Sequence, residues 1–190
     1  PLPVGFVYTE KAPLYRQQGP RLVRCGHAVR MNRFRVVGAR NVSGRAFWVA
    51  PTGVLIPRDR VRVARRTGRP GYISDHTRWI HVDLSEQTLV AYLGPTPLLA
   101  TLVSTGKPGR ATPTGHHRIH WKKVSATMRG TDKKTGRYEV GDVPWVMYYR
   151  SRYALHGAYW HSRFGRVRSH GCTNLPPADA WWLFRWTRPV

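Results

Sequence analysis

The chemistry in this chain gathers near its C-terminal end, in the run Ser169-His170-Gly171-Cys172-Thr173-Asn174. A cysteine set among polar residues and glycine belongs to a surface loop rather than a core, so its thiol is accessible as a nucleophile. A free thiol titrates near about 8.5, so attack at neutral pH needs a neighbouring base. Two histidines qualify: His170, and His156 sixteen positions upstream of Cys172. The segment Tyr153-Ala154-Leu155-His156-Gly157 alternates like a strand that stops at glycine, and the gap that follows is long enough for a loop to bring the chain back beside it. Shortly after Cys172, Pro176-Pro177-Ala178-Asp179 is a helix-start signal, and a helix N-terminus favours a thiolate nearby. These types in this order point to cysteine nucleophilic catalysis with an imidazole base.

Other chemistries fit less well. His156, His161, His170 and Cys172 form one conceivable zinc set, and His116, His117 and His120 another, but neither has a recognised zinc spacing. On a strand, alternation also sets His117 opposite His116 and His120. No metal and no cofactor are expected. A glycosidase needs two carboxylates flanking one site, and the 9 acidic residues are thinly scattered. A basic nucleic-acid-binding module, with Trp48, Trp79, Trp121, Trp145 and Trp160 as stacking platforms, is the non-enzymatic alternative. Tryptophans of β-rich domains mostly pack in cores, so nucleic acid is not the expected partner. Cys25, far from Cys172, reads as a small buried hydrophobe independent of it.

The elements that must position these residues are strands. Short β-branched and aromatic pieces recur between Gly and Pro: Gly5-Phe6-Val7-Tyr8, Arg33-Phe34-Arg35-Val36-Val37, Ala46-Phe47-Trp48-Val49 and Val61-Arg62-Val63-Ala64. Their rhythm predicts a small β-barrel over residues 1–70, with Trp48 and Val49 facing a core and Pro57 to Asp59 as a turn. A linker follows at 71–77, opening in the loose Thr67-Gly68-Arg69-Pro70-Gly71 stretch, and a second β-rich domain spans 78–190. It starts with a hairpin, Trp79 to Leu84 and Thr88 to Tyr92, with further strands at Leu98 to Ser104 and Arg118 to Trp121. Lys122 to Asp142 lacks a packing face and reads as a long loop. Only the end is helical, with Ala180, Leu183 and Phe184 on one face. The expected fold class is therefore all-β with a short C-terminal helix.

The order His156-Gly157, then Ser169-His170-Gly171-Cys172-x-Asn174, resembles the signature of the L,D-transpeptidase (YkuD-type) catalytic domain. Ser104-Thr105-Gly106 with Ala111-Thr112-Pro113-Thr114-Gly115, Val143 to Tyr148, and Leu155 to His161 extend the resemblance over roughly residues 78 to 190. It implies a β-sandwich in which Cys172 is the nucleophile, His156 its base, and the Gly157 carbonyl the group that fixes the imidazole tautomer. Backbone N–H groups around His170, Gly171 and Cys172 would form the oxyanion hole, and Ser169 and Asn174 would brace the loop or touch the peptide. The Lys122 to Asp142 loop, with Met128 and Tyr138, would be a lid, and Trp160 and Tyr148 groove walls. The reaction implied is acyl transfer from a peptidoglycan tetrapeptide stem with release of the terminal D-alanine. The acceptor stays open between a stem amine, a protein, a free D-amino acid and water. The first module is similar to bacterial SH3-like domains through Gly44-Arg45-Ala46-Phe47-Trp48-Val49, which implies cell-wall binding or a structural appendage.

Charge sets the environment. Net charge is +23, from 32 basic and 9 acidic residues, and it is spread along the chain. Uniform basicity fits life against a polyanionic surface such as anionic wall polymers. No apolar run approaches the roughly 18 residues that cross a bilayer. The sequence begins at Pro1 rather than Met, as a processed or truncated form would, and the resemblance implies a monomer exported to the bacterial envelope without its signal peptide.

Overall fold

The computed structural model describes residues 2–132 and 136–188, and the chain divides into two compact units, residues 1–102 and 103–190. Strands dominate both.

The first unit contains β1 (Val4–Val7), β2 (Lys11–Gln18), β3 (Arg21–Val29), β4 (Arg33–Arg35), β5 (Gly38–Val42), β6 (Arg45–Val49), β7 (Leu55–Pro57), β8 (Val61–Ala64), β9 (Arg78–Asp83), β10 (Thr88–Leu93) and β11 (Thr96–Leu102). They form three sheets, ordered β4-β1-β8, β3-β2-β7-β6-β5 and β11-β10-β9. A core of Val7, Ala12, Val36, Ala50, Ile56, Val61 and Val63 receives Trp48, and a smaller cluster of Val42, Phe47 and Leu55 receives Val49. Neighbouring residues of β6 thus feed two clusters, as pleat alternation requires. A short 3-10 turn, Arg58–Arg60, stands where the turn before β8 was expected. The β2–β3 hairpin has no counterpart in the sequence reading. Along β3 nearly every residue is exposed or half-buried, Cys25 included. A strand at a sheet edge with no buried face carries no apolar alternation, and Cys25 is not the buried residue expected. Residues 65–77 contain turns but no strand or helix.

The second unit consists of β12 (Trp121–Asp132), β13 (Gly136–Arg150), β14 (Tyr153–Gly157), β15 (Thr173–Leu175) and α1 (Pro177–Trp186). Its sheet runs β12-β13-β14-β15; β14 and β15 are parallel, and the other neighbours antiparallel. Two expectations are corrected. Lys122 to Asp142 is not a loop: among the described residues it forms the long β12–β13 hairpin, paired from Trp121↔Tyr148 to Asp132↔Gly136 with a bulge near Ala126 and Met128. Its half-buried face holds Ala126, Met128, Gly130, Tyr138 and Val140. That face is too interrupted by glycine and polar residues to show as a pattern, and ladder hydrogen bonds supply what apolar burial does not. Nor is Arg118 to Trp121 a strand, because regular pairing begins only at Trp121, with His120 N–H donating to the Tyr148 carbonyl (3.0 Å) as a lead-in.

Helix α1 begins where proline signals it. Pro177 sits in its first turn with Asp179, and Ala180 and Leu183 are buried. Its C-terminal carbonyls are capped from outside. Lys122 Nζ donates to the Phe184 and Thr187 carbonyls, and Thr187 Oγ1 donates to the Leu183 carbonyl at 2.8 Å. These satisfy groups the helix itself leaves orphaned.

Candidate active site

His156 lies on β14, 2% exposed. Its Nδ1 is 2.9 Å from the Gly157 carbonyl oxygen. A carbonyl only accepts, so Nδ1 carries the proton and Nε2 is the bare nitrogen. Burial pushes the imidazole down to about 4 against the opposing pull of the Gly157 hydrogen bond, with His161 adding to the depression. Gly157 must be glycine, because a Cβ there would stand 2.9 Å from the Pro144 side chain and 3.4 Å from Pro177 Cα.

The parallel β14–β15 ladder sets His156 opposite Asn174. Cys172 lies in the bend just before β15, two residues before Asn174, and packs against the cluster that includes Ala154, the residue two before His156 on β14. At rest the thiol donates to the Arg152 carbonyl (3.7 Å), and among the described residues it makes no hydrogen bond to His156. Burial raises the thiol above its ordinary value, while the Ala154 N–H and the Arg152 charge pull it part of the way back. The expected lowering of the thiol near the helix start is thus outweighed by desolvation. Thiol and imidazole both rest neutral.

A web of backbone and hydroxyl contacts fixes the loop before Cys172. Ser169 Oγ accepts from Gly171 N–H (3.0 Å) and donates to the Cys172 carbonyl. Thr112 Oγ1 donates to the Gly171 carbonyl (2.8 Å) and accepts from Gly106 N–H (2.9 Å). Lys107 N–H donates to the Ser169 carbonyl (3.1 Å), and Ser169 N–H to Thr105 (3.0 Å). Gly171 has φ +119°, and a Cβ there would come 2.5 Å from the Tyr153 ring. Its N–H, one of the three expected oxyanion donors, is engaged by Ser169 in this state.

The other expected residues lie around this centre. The His170 ring stacks on Tyr138 of the hairpin (4.3 Å, 15°). Trp160, 40% exposed, stacks over His156 (5.8 Å, 27°). Met128 and Tyr148 pack with Cys172 against Val143, Val146 and Ala154, and Tyr148 also stacks on Trp121 (5.3 Å). Four residues at the site were not singled out as site residues by the sequence. The Arg152 carbonyl takes the thiol, and Tyr153 and Thr112 hold the loop. His161 contacts Asn174, with Nε2 3.2 Å from the amide Nδ2. Thr112 sits in the Thr-Pro-x-Gly element, Tyr153 opens the strand segment that ends at Gly157, and His161 closes the Leu155 to His161 stretch, whereas nothing in the sequence marks Arg152. No group of three or more His, Cys, Asp or Glu side chains among the described residues is placed to hold a metal ion.

Fold and site together define a class: a β-rich domain whose parallel strand pair carries a buried histidine on one strand, with a cysteine in the bend that leads into the other. The chain belongs to the L,D-transpeptidase catalytic domain family (YkuD), whose model matches residues 77–190 and so includes both side chains. Solved structures agree with this fold. The Ldtfm–avibactam carbamoyl enzyme shares 30% identity over 67% of this chain and 51% of its own, with TM-score 0.56. A cysteine-to-serine mutant of the Enterococcus faecium L,D-transpeptidase shares 29% over 67% and 52%, also with TM-score 0.56. The catalytic domain of the E. faecium enzyme acylated by ertapenem shares 30% over 62% and 94%, with TM-score 0.53. This chain spans about half the length of the first two. Comparison with curated proteins gave no match.

Proposed function

We propose that the chain is a cysteine-dependent peptidoglycan L,D-transpeptidase. The observation that carries this reading is the His156 tautomer: Nδ1–H is held by the Gly157 carbonyl, which leaves Nε2 as a bare base on β14, paired with the strand that Cys172 leads into. Rotation of the thiol away from the Arg152 carbonyl brings its proton to that nitrogen. Sulfur then adds to the carbonyl carbon at the L-centre of the stem's diamino acid, and a C–S bond forms. The C–N bond to the terminal D-alanine breaks, and the leaving nitrogen takes the proton from the imidazolium. In the second half an amine of another stem gives its proton to Nε2 and adds to the thioester. The C–S bond breaks, the imidazolium returns the proton to sulfur, and a crosslink remains. Water as acceptor would give a carboxypeptidase, and a protein amine a protein-to-wall attachment, from the same site. The step needs no cofactor.

Oxyanion stabilisation falls to the N–H groups of His170, Gly171 and Cys172. Gly171 serves only once Ser169 Oγ releases it. Tyr138, Met128, Tyr148 and Trp160 border the stem peptide, and Ser169 and Asn174 hold the loop beside it. Residues 1–70 form an SH3-like barrel that binds the wall, 71–77 a linker and 78–190 the catalytic domain; the family match beginning at 77 supports the start of the last, while the compact units divide after residue 102. The +23 charge keeps a monomeric, exported enzyme against anionic wall polymers of the bacterial envelope. No helix among the described residues is long and apolar enough to cross a membrane.

The test is product analysis. Wild-type protein incubated with purified disaccharide tetrapeptide is expected to release D-alanine and form a crosslinked dimer by mass spectrometry, and Cys172→Ala neither. Absence of D-alanine release from the wild type, with the protein folded, contradicts the proposal.

A further inference from the structure

His161 takes no part in the chemistry above, yet it is held in place from both sides. Ala158 N–H donates to the Leu175 carbonyl (2.9 Å) before it, and Gly165 N–H to the Val103 carbonyl (2.8 Å) after it. Its ring packs against Phe164 (4.8 Å) and meets Trp160 edge-on (6.2 Å, 77°), the same Trp160 that stacks over His156. Its Nδ1 is buried and has no hydrogen-bond partner among the described residues, and its Nε2 meets Asn174 Nδ2 at 3.2 Å. Asn174 is 4% exposed and stands opposite His156 in the ladder.

Register fixes where the Asn174 side chain lies but not which end of its amide faces which way, because the two ends are nearly the same shape and differ only as donor and acceptor. We propose that His161 is a positioning residue that sets the orientation of the Asn174 amide beside His156 and Cys172. Asn174 Nδ2 is a donor, so the Nε2 facing it must accept, and the proton of a neutral ring then sits on Nδ1. The amide then turns Oδ1, an acceptor, to its other side. An acceptor there suits the N–H of a stem amide or of an incoming amine, and it rejects a carboxylate or carbonyl oxygen in the same place. That consequence for substrate class rests on the transpeptidase function proposed above; the orientation itself does not. Burial and the nearby Arg168 keep His161 uncharged, down to about 4. The charged and titratable groups facing it are Arg168 and His156.

Two measurements on the full chain test this. Nitrogen-15 NMR at pH 7 is expected to show His161 as the neutral Nδ1–H tautomer, with the Asn174 side-chain N–H pair shifted in His161→Leu. A Nε2–H or charged ring, or an Asn174 amide indifferent to His161→Leu, overturns the proposal whether or not the chain is active. With disaccharide tetrapeptide, His161→Leu keeps the apolar packing but loses the acceptor. It is expected to lower kcat/KM about five- to tenfold, the loss of one neutral hydrogen bond, with His161→Gln recovering most of it. Iodoacetamide alkylation of Cys172 is expected to stay unchanged in both variants. Equal losses in Leu and Gln variants, or a parallel loss of alkylation, mean a packing role only and overturn it. A wild type without transpeptidation contradicts the proposed function instead, and the NMR result still decides the orientation.

Discussion

At the scale of single residues the pair is a neutral thiol beside a neutral imidazole, not a preformed ion pair. Burial raises Cys172 and lowers His156 to about 4, so the desolvation of each group opposes charge separation. In the proposed mechanism proton transfer therefore belongs to the attack itself. Iodoacetamide alkylation of Cys172 should keep rising with pH past the ordinary thiol value of about 8.5; a plateau below neutrality would indicate a standing thiolate. His156→Gln should reduce D-alanine release by about 10²–10⁴-fold, the usual contribution of a positioned base. The same burial has a stability consequence. An unfolded histidine titrates near 6.5, and folded His156 and His161 are pushed to about 4, so between those values the unfolded chain takes up protons the folded chain refuses. Stability should fall as pH drops through that window and level off below it, read as a declining urea midpoint. His156→Gln should flatten part of the slope. Both members of the pair were legible in the sequence, because a polar glycine loop and an alternating strand are local patterns. The sense of the pKa shifts was not, because it depends on packing that the register creates.

At the scale of elements, the hairpin and the loop before Cys172 do the positioning. Gly171 combines φ +119° with a ring where a Cβ would go. Gly171→Ala is therefore expected to destabilise the loop by about 1–3 kcal/mol and to depress acylation more than thermal stability. Lys122 ties the start of β12 to the end of α1 through two carbonyls. Lys122→Met should lower the unfolding free energy by about 1–3 kcal/mol, since buried carbonyls lose charged donors. Thermal melts of both variants check these. The helix was readable from Pro177 and Asp179, and β14 from its alternation. The β12–β13 hairpin was not, because Ala126, Met128 and Gly130 make too thin a stripe against Tyr138 and Val140. The site's hidden parts, the Arg152 carbonyl and His161, arise from a turn and a loop whose neighbours are distant in sequence.

At the scale of the whole molecule the sequence conveyed the mainly-β class and the stretch that carries the chemistry, and missed the β2–β3 hairpin because its outer strand has no buried face. The basic charge is spread over both halves, +12 over residues 1–77 and +11 over 78–190. Electrostatic attachment to wall polymers should then weaken steeply with salt as the screening length shrinks from roughly 10 Å at 0.1 M to 3 Å at 1 M. Pull-down with purified sacculi across that range checks it, and binding indifferent to ionic strength contradicts it. The central claim is narrower: Cys172 carries the acyl group. Intact-mass analysis of an acid-quenched reaction with disaccharide tetrapeptide tests it most directly. The expected species is heavier by the disaccharide tetrapeptide minus its terminal D-alanine, mapped to the Cys172 peptide and missing from Cys172→Ala. An adduct that persists in Cys172→Ala, or a wild type that releases D-alanine without ever carrying one, would contradict it.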